Sequence, residues 1–177
     1  MHHTLPFYGR FQNRFLKLYM LLIKTSRLPL IGRVVRYIAN AYGRSQHGGY
    51  LVTRQEAEQL IDLSGSVWLS PCSCRSAFNN CDIPVMTEIV ISNGKEIYSK
   101  KKGVKHITAE EAKSVLGKHK DKNVIYTVMH CHGLFYAICT CCPCCCVPYR
   151  LKKEYNIGQA LVRKADIVAD YRRQVAG

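Results

Sequence analysis

The chain has 177 residues, 26 of them Lys or Arg against 12 Asp or Glu, for a formal net charge of +14, and 10 are Cys. That length can bury a core without disulfides, and 47% apolar with 21% charged residues excludes a disordered or collagen-like chain. The longest uncharged stretch of the apolar N-terminal region runs only from Leu18 to Ile23, short of the roughly 20 residues of a spanning helix. Without a cleavage-site pattern after it, neither a transmembrane helix nor a signal peptide is expected, and the thiols are expected in the reducing cytoplasm.

In chain order, Met1 to Gln55 contains no acidic residue, while Arg10, Arg14, Lys17, Lys24, Arg27, Arg33, Arg36, Arg44 and Arg54 supply most of the charge excess. Phe15, Leu18, Tyr19, Leu22 and Ile23 recur at three- and four-residue steps. After Pro29 the pattern resumes with Leu30, Ile31, Val34, Val35 and Ile38, which predicts two basic amphipathic helices with a proline joint. Residues 1–47 thus read as an arm. Its apolar face either packs on the rest of the chain or docks on an anionic membrane surface or an acidic partner.

Thr53-Arg-Gln-Glu56 is a capping box, because the hydroxyl and the carboxylate can each satisfy a free backbone donor of the other residue. It predicts a helix over 54–63, ended near Gly65, then a strand at Val67–Leu69 running into Pro71-Cys72. Thr108-Ala-Glu-Glu111 repeats the signal, with a helix to Leu116 and a strand from Val124 to Met129 running into Cys131. The two helix-strand-cysteine units predict a pseudo-symmetric pair around a shared metal region. Between them, Thr87–Ser92 and Glu96–Ser99 read as strands joined at Asn93-Gly94, a hairpin signal. Lys100, Lys101, Lys102 and Lys105 read as a solvated loop, and Asn156 to Gln174 as a helical tail. The expected architecture is α+β, divided into the arm 1–47, a cysteine domain 48–155 and a tail 156–177. The cysteine domain is expected to hold its metal without the arm.

Cys72, Cys74 and Cys81 form one group; Cys131, Cys139, Cys141, Cys142, Cys144, Cys145 and Cys146 form another. Such crowding closes no useful loops and strains disulfide geometry, so the thiols read as metal ligands. Thiolates select zinc, copper(I) or iron–sulfur clusters. The Cys-x2-Cys spacings of the late run overlap, which argues against independent zinc knuckles, whereas adjacent ligands can serve different cubanes. Ten thiols cover two 4Fe–4S clusters with two to spare, with Cys72, Cys74 and Cys81 expected on one cluster and the late run lending it a ligand. Zinc is the alternative. His130 and His132 flank Cys131 and are either ligands or donors to sulfur. Arg75 follows Cys74; it is expected to bind beside a cluster or to pair with Asp82, or else to face solvent.

The segments Pro71-Cys-Ser-Cys-Arg75, Cys81-Asp-Ile-Pro84, Tyr136-Ala-Ile-Cys-Thr-Cys-Cys-Pro-Cys-Cys-Cys146 and Ala160-Leu-Val-Arg163 resemble the iron–sulfur proteins of strict anaerobes that carry a CxCR segment and a late CxCCxCCC segment. The resemblance covers roughly residues 50 to 170 and implies two 4Fe–4S clusters and no catalytic nucleophile. Larger relatives continue into a two-cluster ferredoxin domain. Glu88 stands where relatives often have a further cysteine, so a ligand must come from elsewhere, from Cys131 or the Cys144–Cys146 run, or one cluster keeps an open site. In size, basic arm and cysteine count the chain is also similar to small iron–sulfur proteins of methanogens that associate with a sodium-pumping corrinoid methyltransferase of the membrane. That likeness implies attachment to a membrane complex and a response to oxygen.

No Gly-rich phosphate loop, paired-carboxylate motif or H-E-x-x-H occurs, so no enzyme and no small-molecule substrate are expected. Electron transfer or oxygen response follows as the expected function. Two competitors remain. Interleaved Arg33, Arg36, Tyr37, Tyr42 and Arg44 would suit a nucleic-acid-binding regulator, and an open cluster iron would suit substrate binding.

Overall fold

The computed structural model describes residues 4–91, 94–99 and 101–176. Helix α1 (Thr4–Leu22) passes through a 3-10 turn (Ile23–Arg27) to α2 (Gly32–Ser45), β1 (His47–Val52) and α3 (Arg54–Leu63). Then come β2 (Val67–Pro71), α4 (Ser73–Phe78), β3 (Met86–Ile91), α5 (Gly94–Tyr98), β4 (Lys105–Ile107) and α6 (Ala109–Gly117). The chain closes with β5 (Ile125–Cys131), β6 (Leu134–Cys141), α7 (Val147–Tyr155), β7 (Leu161–Arg163) and α8 (Ile167–Ala176). This is a mixed α+β fold, as its sequence predicts.

The strands form one seven-stranded sheet in the order β4-β2-β3-β6-β5-β1-β7. Its pairings are antiparallel except β1 with β7, which is parallel. Alternation along β3 sends Ile89 and Ile91 to one face, where α3, α6 and α8 cover them with Leu60, Ile61, Leu116, Ile167 and Tyr171. Val90 points the other way, among Tyr98, Tyr136, Cys139 and Cys141. The sheet therefore has a dry aliphatic face and a thiol-bearing face. Both capping boxes form: the Thr53 and Thr108 hydroxyls accept the N–H of Glu56 and Glu111, whose carboxylates return to the threonine N–H groups.

The expected hairpin at Asn93-Gly94 does not form. Asn93 lies outside the described residues, but Gly94–Tyr98 is helical, and β3 pairs instead with β2 and β6. Gly94 serves close packing: a Cβ there would sit 2.2 Å from the Tyr136 carbonyl oxygen and 2.5 Å from Val90 Cγ1. The tight hairpin is β5–β6, whose two-residue turn His132-Gly133 takes positive φ at both positions, 50° and 80°, the twist-matched geometry for two-residue loops. The tail is not one helix either. Asn156 ends α7 in the left-handed conformation, and Leu161–Arg163 adds a strand beside β1 before α8 begins.

The arm lies against the body. Met20, Ile23 and Ala39 are buried with Val147, Leu151, Tyr155 and Ala160, Ser73 donates to Gln12 at 2.6 Å, and the Arg27 guanidinium stands 4.7 Å from the Tyr155 ring centroid. No helix among the described residues is long and apolar enough to cross a membrane.

Candidate metal centre

The ten thiols are all free, and the fold sorts nine of them into two sets. In the first, the Sγ atoms of Cys81, Cys142, Cys144 and Cys145 all lie within 4.8 Å of one another. Cys81 follows α4, which Asn79 terminates in the left-handed conformation with φ 47°. The other three come from the turn after β6, so two loops distant in sequence close on one point. Asn80 ties them together, its backbone N–H donating to Cys145 Sγ at 3.3 Å and its side-chain amide to the Cys144 carbonyl at 3.1 Å. The Sγ pairs Cys81–Cys142, Cys81–Cys145 and Cys144–Cys145 stand 3.5, 3.9 and 3.8 Å apart. Four converging thiols are the donor set of a zinc ion or an iron–sulfur cluster, and this group can hold a metal.

The second set is Cys72, Cys74, Cys139, Cys141 and Cys146, at the floor of a cavity of about 710 Å³. Cys139 and Cys141 reach it because alternate residues of β6 face the same side. Cys72 and Cys146 are the N-caps of α4 and α7, with nearly identical backbone angles of −62°, 117° and −61°, 114°. Cys146 donates to Cys141, and that hydrogen bond together with burial holds its thiol well above the ordinary value. Hydrogen bonds reach the sulfurs from the Val147 N–H to Cys74 at 3.4 Å and between Thr127 Oγ1 and Cys141 at 3.3 Å. The roof is aliphatic and comes from the arm, including Leu16, Leu22, Ile23 and Ala39.

Electrostatics marks one thiol in each set. Burial, then Glu88, pushes Cys72 up to about 12, and burial with Cys72 as neighbour raises Cys74 well above the ordinary thiol value. Cys141 is instead held low by hydrogen bonds from Cys139 and Cys146, against the effect of burial. In the first set burial raises Cys142, but Arg75 and Cys81 as donors outweigh it and the thiol is lowered; Cys145 is pushed up to about 11, chiefly by burial.

Arg75 lies between the two sets and is 2% exposed, so it is not a solvent-facing turn residue. It donates to the Pro84 carbonyl at 3.0 Å, to Thr87 Oγ1 and to the Thr140 carbonyl. Burial would lower its pKa, but Cys72 and Cys142, one from each set, raise it. Asp82 is exposed and is not its partner. Glu88 is buried at the edge of the second set, opposite Cys139 in the sheet register, with Cys139 Sγ 3.6 Å from its Oε1. Tyr98 donates to Glu88 Oε1 at 2.7 Å and Lys101 to Oε2 at 3.0 Å. Lys101 also donates to the Pro71 carbonyl and Ser73 Oγ at 2.6 and 2.7 Å. It therefore leaves the expected solvated lysine loop to neutralise a buried carboxylate beside thiols.

The grouping differs from the expected one. Cys81 parts from Cys72 and Cys74, and each partner set is drawn from the late run. Cys131 joins neither: it sits at the β5–β6 turn, paired across the ladder with Leu134, while Cys141 pairs with Ile125 at the other end, about 20 Å away at strand rise. The shared metal region expected of the two helix-strand-cysteine units does not include Cys131. His130 stacks on Tyr50 at 4.7 Å, and His132 occupies the exposed turn. Sequence reading missed Asn80, Tyr98, Lys101 and Thr127 around the sulfurs. An acid inside the apolar strand Thr-Glu-Ile-Val-Ile is the one signal that called for a buried cation.

Comparison with family models, with curated proteins and with solved structures finds no match to this chain.

Proposed function

We propose that the chain is a non-enzymatic iron–sulfur protein carrying two 4Fe–4S clusters, redox-active or oxygen-responsive, that docks through its arm on a membrane-associated complex from the cytoplasmic side. The observation that carries this reading is the partition of the thiols. One set brings four thiols within 4.8 Å of one another, the number a cubane takes, five more line a single cavity, and adjacent cysteines go to different sets as cubane ligands do. Each set has donors to sulfur and shares the Arg75 cation, the features that tune a bound cluster. Glu88 in place of a cysteine leaves neither set short of thiols. The likeness to methanogen proteins adds oxygen response and a corrinoid methyltransferase as the docking partner.

A second reading is favoured by one distance. Four sulfurs at about 2.3 Å from a single tetrahedral ion stand about 3.8 Å apart, which matches the 3.5, 3.9 and 3.8 Å pairs of the first set. That set would then be a structural zinc site beside one cluster. Metal and sulfide analysis of anaerobically purified protein decides between the two. About eight irons support two cubanes; about four irons with one zinc support the mixed protein. Cys145→Ser should remove at least the first centre, Cys72→Ser with Cys141→Ser only the second, and Cys131→Ser neither. Protein without iron would sink the redox reading.

A further inference from the structure

Among the described residues, eleven of the thirteen large apolar side chains that stand exposed fall between Phe15 and Tyr42. On α1 they are Phe15, Leu18, Leu21 and Leu22; on α2 they are Val34, Tyr37, Ile38 and Tyr42, each set at helical spacing along one stripe. The turn between the helices adds Leu28, Leu30 and Ile31, with Leu30 89% exposed, the most of any in the group. Soluble surfaces rarely gather apolar groups in this way unless something covers them. The inner side of the same helices is already committed, with Met20, Ile23 and Ala39 buried against the body, and Phe15, Leu18, Leu22, Ile38 and Tyr42, though exposed, also line the cavity over the thiols, so the outward face is carried by Leu21, Val34, Tyr37 and the Leu28–Ile31 turn.

The surrounding charge is of one sign. Arg14, Lys17, Lys24, Arg33 and Arg44 of the same segment are exposed, and no acid occurs before Glu56. A symmetric pairing of two copies through this face would set these cations against each other. An anionic bilayer answers both features, taking the aliphatic groups into its interfacial region and the cations at its headgroups, with tyrosines at the boundary.

We infer that the outward face of α1 and α2 is a membrane-insertion surface for an anionic bilayer, with the Leu28–Ile31 turn entering deepest. The inference rests on the docking half of the proposed function and names lipid as what the arm meets. Neither helix spans; the element lies in the interface, and the sheet with its thiols stays on the aqueous side.

The test is flotation of the full-length protein with phosphatidylcholine vesicles and with vesicles enriched in phosphatidylglycerol, at low and high salt. Binding should require the anionic lipid and weaken with salt, without vanishing, because apolar burial is not screened. Leu30→Asp should weaken it about tenfold or more, as expected for one lost buried leucine, with circular dichroism and metal content unchanged. Ile31→Ser, a milder change, should weaken it less. Folded protein that ignores anionic vesicles overturns the inference. If that protein is still captured by a detergent-solubilised membrane complex, the docking reading stands and only the lipid assignment falls. A dimer abolished by Leu30→Asp, with no vesicle binding, would overturn both.

Discussion

Arg75 is a buried cation with three oxygen acceptors on β3, β6 and the loop before β3, and thiols of both sets as neighbours. Removing its charge should make anionic centres harder to reduce. In the proposed two-cluster form, Arg75→Gln is expected to lower the reduction potentials of both centres by roughly tens of millivolts, whereas Arg75→Lys should keep most of the potential while losing stability, since one ammonium cannot reach three acceptors. Redox titration with metal analysis checks this. His47 carries a pH signature. Burial, then His130 and His132, lowers it to about 4 from its ordinary 6.5. Below pH 6.5 the unfolded chain takes up a proton that the folded one refuses until about pH 4. This group thus withdraws stability as pH falls through that window, by about 3 kcal/mol at most. Denaturation of His47→Gln across the same range should show a correspondingly shallower acid slope.

At the level of elements, the two capping boxes look alike but carry different loads. Thr53→Ala and Thr108→Ala should each cost about 1 kcal/mol. Glu56 has a further duty, accepting from Arg163 of β7 at 2.6 and 2.5 Å and so fastening the parallel edge strand to α3. Glu56→Ala should therefore lower the denaturation midpoint more than Glu111→Ala. These helices were legible in the sequence because a cap is a local signal, complete within four residues. β6 was not legible, because its alternating cysteines read as ligands and not as strand positions. β7 was hidden because Ala-Leu-Val fits a helical period as well as an extended one, and only contact with β1 decides. The metal-binding character of the thiols was legible from their crowding. Their partition was not, since it depends on β6 placing Cys139 and Cys141 on one face before the chain turns.

For the whole molecule, the arm has two surfaces with separate tasks. Its inner surface roofs the cavity over Cys72, Cys74, Cys139, Cys141 and Cys146, while the first set lies beyond it, joined to Ile83 and Val124. The sequence treats residues 1–47 as separable from metal binding; the packing ties them to one set. With both sets loaded as proposed, deletion of 1–47 should leave metal on Cys81, Cys142, Cys144 and Cys145 and strip it from the five-thiol set, which would open to water and oxidants. Metal analysis of the truncated protein checks this, and full retention would reduce the arm to docking alone.

The late cysteine run passes back and forth between the two sets. Cys139 and Cys141 go to the five-thiol set, Cys142, Cys144 and Cys145 to the four-thiol set, and Cys146 returns to the first destination. The four-thiol ligands therefore lie between Cys141 and Cys146, and filling that centre pins both flanking residues near their final places. It is also the more accessible, with Cys81 and Cys144 only partly buried. Were both sets to hold clusters as proposed, maturation would acquire a direction, the outer centre loading first and templating the inner one. Native mass spectrometry during stepwise iron and sulfide addition should show empty, outer-loaded and fully loaded chains, while chains loaded only at the inner centre should be scarce even when iron is limiting.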